Sequence, residues 1–306
     1  MQTTLKRDVP FVGTGLHSGR PARITLRPAE AGSGIRFRRI DVADRDPVVL
    51  ARFDMVGDTT LNTRLQNAAG TSVSTVEHLM AAIAGTGLHN VLIDIDGPEV
   101  PIMDGSARRF VRDILAAGLR TLDAPLRAWR VLEEVSLTEG DVTAVLRPHD
   151  GLSIDFTIDF PDAAIGRQSR GLDMANGAFV RELSDCRTFC RRAEVEFMQS
   201  RGLALGGTLD NAVVVDGDTV LNPEGFRRVD ECVRHKMLDA LGDLALAGAP
   251  LLGAYYGTRA GHGVTNRLLR RIFATPGAIE LVTVDAAPLT RLPGFGIRPA
   301  DMAAVG

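Results

Sequence analysis

The spacing of hydrophobic and polar residues along the chain predicts strands and helices in a repeated order. Leu26-Arg27-Pro28 leads through a glycine-containing turn to Ile35-Arg36-Phe37, which is the pattern of a strand, a turn and a strand. The same pattern recurs at Leu146-Arg147-Pro148 and Ile154-Asp155-Phe156. The repeat indicates two related units in tandem.

Each unit continues with a helix, an apolar strand and a second helix. Apolar residues recur at helical spacing in the helices, whereas the strands are short apolar runs. The predicted helices are 76–83 and 107–117 in the first unit and 233–240 and 265–273 in the second, and the strands are 90–95 and 251–256. Strands grouped before helices favour an α+β fold, with an antiparallel or mixed sheet and helices packed on one face.

The repeat predicts two tandem domains, which we place at residues 1–125 and 126–306. Pro125 interrupts the hydrophobic pattern shortly before Val131 begins the next predicted strand. A segment from about 191 to 207, with a helix predicted at 194–201, has no counterpart in the first half and is interpreted as an insertion. If the two helix layers face each other, residues from both halves meet at one interface.

Composition mainly excludes classes of protein. The 306 residues are 45% hydrophobic, enough for two packed cores, and three cysteines without a CxxC pair argue against a disulfide framework. A net charge of −3 without a basic run gives no electrostatic footprint for nucleic acid. We see no export signal, and the most apolar later stretch, 244–256, is too short to span a bilayer. We expect a soluble, cytoplasmic protein.

The helix predicted in the second half carries His235, Asp239 and Asp243, four residues apart and therefore on one face. Apolar residues occupy most of its circumference, which indicates a buried helix, and buried carboxylates need partners or a metal. A catalytic zinc takes three protein ligands and keeps a fourth position for water. His235 and Asp239 are candidates for two of the ligands. His78, in the aligned helix of the first half, is the candidate for the third.

Glu77, beside His78, has two interpretations. Ser74-Thr75-Val76-Glu77 fits a capping box, in which the glutamate reaches back to the N-cap amide and no chemistry is implied. A glutamate next to a metal ligand can also act as a general base on water. The adjacent histidine in an otherwise apolar helix favours the second interpretation.

Two further residues are candidates on weaker grounds. His262 lies in a glycine-rich turn predicted between a strand ending near Gly257 and a helix beginning near Thr265, where a histidine that only bonds the loop is at least as common. Lys236 is one of only two lysines among 35 cationic residues, which favours a need for a compact ammonium group beside His235.

Together these residues resemble the zinc-dependent UDP-3-O-acyl-N-acetylglucosamine deacetylases of lipid A biosynthesis in Gram-negative bacteria. Several motifs in the family's order run through the whole chain, which makes the resemblance far more specific than any single pattern. The motifs are Gly15-Leu16-His17-Ser18-Gly19, Ser74-Thr75-Val76-Glu77-His78-Leu79, Pro101-Ile102-Met103-Asp104-Gly105-Ser106-Ala107, Arg187-Thr188-Phe189, Val233-Arg234-His235-Lys236-Met237-Leu238-Asp239 and Gly261-His262.

The resemblance implies one catalytic zinc ion held by His78, His235 and Asp239, although ferrous iron would suit these ligands about as well. Glu77 would be the general base that activates water. His262, in its protonated form, would be the acid that protonates the leaving amine.

The resemblance also implies roles for residues around the metal. Asp243 would orient His262 and favour its charged form. Thr188 would help to hold the oxyanion, and Lys236 would bind substrate. Phe189 would border the sugar, and Phe160 ends a strand that lies where the family binds the uridine.

The implied reaction is hydrolysis of the N-acetyl group of UDP-3-O-(3-hydroxyacyl)-N-acetylglucosamine, giving the free amine and acetate in an early committed step of lipid A biosynthesis. The implied fold has two α+β domains with facing helix layers, the site between them, and a small insertion in each. The second insertion, here about 191–215, would form an apolar passage for the acyl chain. A monomer that needs no partner protein for catalysis is expected.

The chain departs from the family pattern in two places. Cys190 stands where a glycine is common, and Gly263-Val264-Thr265 follows His262 where an alanine and a leucine are expected. Two other functions stay open. Another zinc amidohydrolase, such as a peptidase, would use the same metal ligands without an acyl passage. A protein with a structural metal would usually have four ligands, rich in cysteine.

Overall fold

The structure, a computed structural model, describes residues 1–298, 300 and 301. In these residues the first half forms a 3-10 helix (Phe53–Met55), two α-helices and nine strands. The helices are α1 (Glu77–Gly85) and α2 (Arg108–Ala117). The strands are β1 (Thr3–Leu5), β2 (Val9–Thr14), β3 (Pro21–Pro28), β4 (Ile35–Arg39), β5 (Val48–Leu50), β6 (Leu65–Gln66), β7 (Ser72–Val73), β8 (Val91–Ile95) and β9 (Leu119–Thr121).

The second half forms five helices and ten strands within the described residues. The helices are α3 (Ala178–Glu182), α4 (Arg192–Ser200), α5 (Glu231–Ala245), α6 (His262–Ala274) and α7 (Ala286–Leu289). The strands are β10 (Arg127–Val131), β11 (Val135–Glu139), β12 (Val142–Arg147), β13 (Leu152–Asp159), β14 (Arg167–Asp173), β15 (Phe189–Arg191), β16 (Val213–Asp216), β17 (Thr219–Val220), β18 (Leu251–Thr258) and β19 (Ile279–Thr283).

The two large sheets share one topology. The first has the order β2-β3-β8-β4-β5, and the second contains the order β11-β12-β18-β13-β14, with β10 and β19 added. In each sheet the central strand, β8 or β18, is antiparallel to one neighbour and parallel to the other. In the two parallel pairs, Arg36 lies opposite Leu92 and Asp155 lies opposite Tyr256. The predicted α+β fold with two related units is therefore confirmed, and both sheets are mixed.

Local patterns account for these elements. β13 alternates buried and half-exposed residues along its whole length, as a strand with one covered face does. α2 buries Phe110, Val111 and Ile114 on one stripe and exposes arginines on the other side. None of the helices in residues 1–298, 300 and 301 is long and apolar enough to cross a bilayer.

The domain boundary stays a proposal, and the strand predicted to begin at Val131 instead ends there, because β10 spans Arg127–Val131. β1 pairs with β9, and the backbone N–H of Gln2 donates to the carbonyl of Ala124. β10 then enters the second sheet. The segment 191–215 lies within a small unit in which β15, which precedes α4 in the chain, pairs in parallel with β16, which follows it; this unit begins two residues earlier than predicted, at Phe189.

Helices α1 and α5 pack against each other and are buried over nearly their whole length. They approach closely at Gly242, where an added Cβ atom would clash with the carbonyl oxygen of Glu77. Buried apolar residues of both halves, including Leu79 and Leu238, belong to one continuous core. The helix layers of the two units thus face each other, and the first turn of α1 lies beside the middle of α5.

Candidate active site and metal centre

The three predicted metal ligands come together where α1 meets α5. The ligand atoms of His78, His235 and Asp239 all lie within 4.8 Å of one another, and all three residues are buried. Asp239 Oδ1 lies 3.5 Å from His78 Nε2 and 3.3 Å from His235 Nε2. α5 supplies two ligands from consecutive turns and α1 supplies the third, so the site depends on the packing of these two helices.

The chemistry of these donors fits a divalent metal ion. Asp239 Oδ1 is buried and has no hydrogen-bond partner among the described residues. His235 Nδ1 lies 3.1 Å from the carbonyl oxygen of Cys186, and only an N–H at Nδ1 can bond that oxygen, so Nε2 keeps its lone pair. Two imidazole nitrogens and one carboxylate oxygen suit zinc or ferrous iron.

Burial and nearby charges keep two of the ligands in the form that a metal requires. Burial lowers the pKa of His235 to about 3, against the attraction of Asp239. Burial alone would raise the pKa of Asp239, but the attraction of His235 and Lys236 holds it well below its usual value. A neutral imidazole and an ionised carboxylate are the binding forms of these groups.

Lys236 lines the cleft and also bonds a ligand. Its ammonium group donates a hydrogen bond to Asp239 Oδ2 at 2.7 Å. Burial would lower the pKa of Lys236, but Asp239 raises it overall. Because the ammonium occupies Oδ2, only Oδ1 of Asp239 remains free toward the two histidines. Substrate binding by Lys236 stays a prediction. Its hydrogen bond to Asp239, which orients that carboxylate, was not predicted from the sequence.

Glu77 does not form the capping box that its sequence context allows. α1 begins at Glu77 with Val76 as the N-cap, and no side chain caps it. Thr75 has a φ of 57°, which takes the chain out of the capping geometry. The Glu77 carboxylate instead accepts a hydrogen bond from the backbone N–H of Thr63, at 3.0 Å. The capping interpretation is therefore wrong, and the carboxylate remains available for chemistry.

His262 lies opposite Glu77. It is the first residue of α6, with the extended Gly261 as N-cap, so the helix begins three residues earlier than predicted. Two flanking glycines made the sequence resemble a turn, which explains the error. His262 Nδ1 lies 2.8 Å from Asp243 Oδ2, and Nε2 lies 3.9 Å from Glu77 Oε1. The predicted pairing of Asp243 with His262 is thus present.

The environments of His262 and Glu77 adjust both groups toward proton transfer. Burial would lower the pKa of His262, but the carboxylates of Asp243 and Glu77 raise it to about 9. Burial raises the pKa of Glu77, and the attraction of His262 and His78 opposes this. The pair therefore combines a histidine that is charged at neutral pH with a glutamate of strengthened basicity.

The other predicted substrate residues line one cleft of about 600 Å³ together with His235 and Asp239. Phe160 and Phe189 meet edge to face with ring centroids 5.4 Å apart, and the Phe189 ring lies 6.2 Å from that of His235. Thr188 is fixed on the cleft wall because its backbone N–H donates to the carbonyl of Gly105, at 2.8 Å. The structure thus brings all ten predicted site residues to one cleft or directly behind it.

Sequence reasoning missed Thr63 and the loop before it. The Thr63 hydroxyl donates to Asp243 Oδ1 at 2.6 Å, so one residue bonds both Glu77 and Asp243. Thr59 lines the cleft and comes so close to Gly263 that an added Cβ would lie 2.9 Å from its hydroxyl. The glycine that departs from the family pattern therefore accommodates this loop. No periodicity marks residues 58–64, so only the tertiary contacts reveal them.

Comparison with known proteins matches this chain to one family. The family model described as UDP-3-O-acyl N-acetylglycosamine deacetylase matches residues 2–274. A UDP-3-O-acyl-N-acetylglucosamine deacetylase of Phenylobacterium zucineum is 48% identical over 282 residues, covering 92% of this chain and 96% of that protein. The deacetylase of the same name from Pasteurella multocida is 46% identical, with 93% of each chain covered. The one from Anaeromyxobacter sp. is 47% identical, with 95% of each covered. Such matches over nearly the whole length show that the chain belongs to the UDP-3-O-acyl N-acetylglycosamine deacetylase family.

Proposed function

We propose that this protein hydrolyses the N-acetyl amide of UDP-3-O-(3-hydroxyacyl)-N-acetylglucosamine, releasing acetate and the free amine, as an early committed step of lipid A biosynthesis. The family and the names of its relatives support this activity. The observation that carries the proposal is the buried set of two histidines and a carboxylate with a base and a charged histidine beside it. Three ligands leave a position open, as catalytic sites do.

The metal is proposed to be one zinc ion held by His78, His235 and Asp239. When bound, such an ion polarises the amide carbonyl and lowers the pKa of water. Ferrous iron would satisfy the same ligands, so the choice between the two ions rests on measurement of the metal content.

Glu77 and His262 would carry the proton transfers. Glu77 would take a proton from the attacking water, because its carboxylate lies 3.9 Å from His262 Nε2, it directly precedes His78 in the chain, and burial raises its pKa. His262 would give its proton to the nitrogen as the C–N bond breaks, since Asp243 keeps the imidazole charged and fixes its orientation through Nδ1. A base and an acid of opposite protonation state are what amide hydrolysis requires.

The remaining cleft residues would hold the substrate. Thr188 would help to stabilise the negative charge that develops on the carbonyl oxygen. Lys236 would contact the substrate from its position beside Asp239, and Phe189 and Phe160 would border the sugar and the uridine. The acyl chain would run along the segment 191–215, whose Phe197 and Leu205 side chains are more than half exposed. Apolar side chains exposed beside a cleft are typical of a site for an apolar ligand.

The protein is proposed to act as a monomer in the cytoplasm without a partner protein. All residues of the proposed chemistry come from one chain, so the site needs no second copy. Cys186, Cys190 and Cys232 are free thiols, which suits a reducing compartment.

A turnover assay tests class, substrate and metal together. UDP-N-acetylglucosamine carrying 3-O-acyl chains of different lengths, or none, is offered to metal-stripped protein and to protein restored with zinc or ferrous iron. We expect acetate release that depends on the metal and on the acyl chain. Metal-dependent hydrolysis of other amides with no effect of the acyl chain would instead identify a different amidohydrolase. A protein that binds the metal and turns over no amide would contradict an enzymatic role.

A further inference from the structure

Glu99 is a buried carboxylate outside the cleft that holds two parts of the molecule together. It is 4% exposed, and its oxygens accept three hydrogen bonds. Oε1 accepts from the backbone N–H of His17 at 2.8 Å and from the hydroxyl of Thr75 at 3.1 Å. Oε2 accepts from the backbone N–H of Ser18 at 2.9 Å. One carboxylate therefore joins the loop 15–19 to the residue two positions before Glu77.

The loop 15–19 in turn holds the segment proposed to bind the acyl chain. The backbone N–H of Gly206 donates to the carbonyl of Leu16 at 2.9 Å, and that of Leu205 donates to the carbonyl of His17 at 3.2 Å. The two segments pack tightly at Gly206, because a Cβ atom added there would clash with the carbonyl oxygen of Gly15. A Cβ added at Gly15 would clash with Oε2 of Glu99. The Glu99 carboxylate is therefore connected to Leu205 through hydrogen bonds to the backbone of the loop 15–19.

On its other side Glu99 supports a strained turn. Thr75 has a φ of 57°, a conformation that β-branched residues rarely adopt, so surrounding contacts must hold it there. Its hydroxyl is bonded by Glu99, and its backbone N–H donates to Asn62 Oδ1 at 3.3 Å. Because α1 begins two residues later, the direction of this turn sets where the Glu77 carboxylate and His78 lie.

We propose that Glu99 is a positioning residue that fixes the segment around Leu205 relative to Glu77, so that a substrate held by its acyl chain presents its amide to the base. This role rests on the proposed function, because it requires an acyl chain bound along 191–215. A carboxylate is needed for it, since all three partners are donors. A glutamine in its place would turn an NH2 group toward at least one of them and leave that donor without an acceptor.

The test compares two substrates, the 3-O-acylated UDP-N-acetylglucosamine and the same nucleotide sugar without the acyl group. For Glu99→Gln we expect kcat/KM on the acylated substrate to fall more than on the other, so that the ratio of the two falls by about tenfold. Metal content should stay at the wild-type value. Asp96→Asn is the matched control, because Asp96 also accepts a backbone N–H bond, from Arg23 at 2.8 Å, and no hydrogen bond among the described residues joins it to the loop 15–19 or to Thr75.

Two further variants test separately the contacts of Glu99 toward Leu205 and those toward Thr75, which together form the linkage. They also replace Glu99→Gln if that variant folds poorly. Gly206→Ala should lower kcat/KM on the acylated substrate more than on the unacylated one, so that the ratio falls. Thr75→Val keeps the branched shape without the hydroxyl, and it should lower kcat on both substrates while the ratio stays constant. The combination of Glu99→Gln with Gly206→Ala should lower the ratio no further than the larger single effect, because both act on one linkage.

Several outcomes would overturn the proposal. One is an unchanged ratio of the two kcat/KM values in Glu99→Gln and Gly206→Ala. Another is an equal loss of kcat/KM on both substrates together with a lowered melting temperature. A third is a fully additive effect on the ratio in the double variant. A wild-type protein that shows no preference for the acylated substrate would instead contradict the proposed function. The two failures are therefore distinguished by the wild-type measurement.

Discussion

At the scale of single residues, the two oxygens of Asp239 have different tasks. Oδ2 accepts a hydrogen bond from the Lys236 ammonium, whereas Oδ1, which has no hydrogen-bond partner in the described part of the chain, lies between the two histidines. Lys236 thus holds the carboxylate in one orientation and favours its ionised form. An arginine there would bring a wider, planar group with a different reach. The rarity of lysine in this chain agrees with a requirement for the smaller cation.

The Glu77→Gln substitution separates metal binding from proton transfer. The glutamine oxygen can still accept the bond from the Thr63 N–H, but the side chain no longer accepts a proton. We expect kcat to fall about 10²- to 10⁴-fold, the usual range for loss of a general base, while about one metal ion per chain is retained. Turnover measured beside metal analysis tests this. Loss of the metal in parallel with activity would make Glu77 a ligand or a structural residue.

The Asp243→Asn substitution tests the charged state of His262. The carboxylate of Asp243 helps to raise the pKa of His262 to about 9, so the imidazole is protonated below that pH. Without this negative charge the pKa falls, and the acid form is lost at a lower pH. We expect the basic limb of the kcat/KM profile to move toward neutral pH, with metal content preserved. An unmoved basic limb would remove His262 from the role of the acid.

At the scale of elements, the site depends on how closely α1 and α5 approach. Gly242 permits that approach because its missing side chain leaves room for the Glu77 carbonyl. His78 comes from α1 and His235 and Asp239 from α5, so the separation of these helices sets the distances between the ligands. A small residue in a buried helix is here a requirement of the site as well as of packing.

The Gly242→Ala substitution should therefore damage both stability and metal binding. The added methyl group forces the two helices apart, and overpacking of this kind costs about 1–3 kcal/mol. We expect a lower melting temperature and a weaker affinity for zinc, measured by thermal unfolding and by competition with a chelator. Gly97→Ala is the control, because a Cβ there meets nothing within 4 Å. Unchanged zinc affinity in Gly242→Ala would show that the helices tolerate a wider separation.

At the scale of the whole molecule, the three proposed metal ligands come from both halves of the chain. The continuous core already includes buried residues of both, and the ligand set adds a second link between α1 and α5. A ligand that binds the folded state alone stabilises it in proportion to its affinity and concentration. The metal is accordingly expected to stabilise the protein as well as to serve the chemistry.

Removal of the metal should lower the melting temperature, and zinc should restore it. At a free zinc concentration of about 100 times Kd, the gain is about 2.7 kcal/mol. Thermal unfolding of chelated and zinc-restored protein measures this gain. His78→Ala should abolish the zinc-dependent increase, whereas Glu77→Gln should keep it. Equal melting temperatures with and without zinc would contradict a site that links the two halves.

Much of the fold could be predicted from the sequence, because local periodicity determines it. The repeat, the order of strands and helices, and the positions of α1, α2 and β18 follow from the spacing of apolar residues. His235 and Asp239 share a face by helical geometry alone, so their pairing required no tertiary information. The motifs distributed along the chain indicated the family and, through it, the roles of the candidate residues.

Contacts between distant segments decided the rest. The sequence of residues 74–77 is compatible both with a capping box and with a positioned base. The left-handed backbone of Thr75 and the hydrogen bond from the Thr63 N–H to Glu77 distinguish the two. His262 had the sequence of a turn but begins α6, where Asp243, 19 positions earlier, bonds it. Thr63 and Glu99 carried no pattern, because hydrogen bonds to remote partners leave no periodic trace in a single sequence. Sequence by itself determined which residues lie on each helix face, and the tertiary structure decided which of those faces meet.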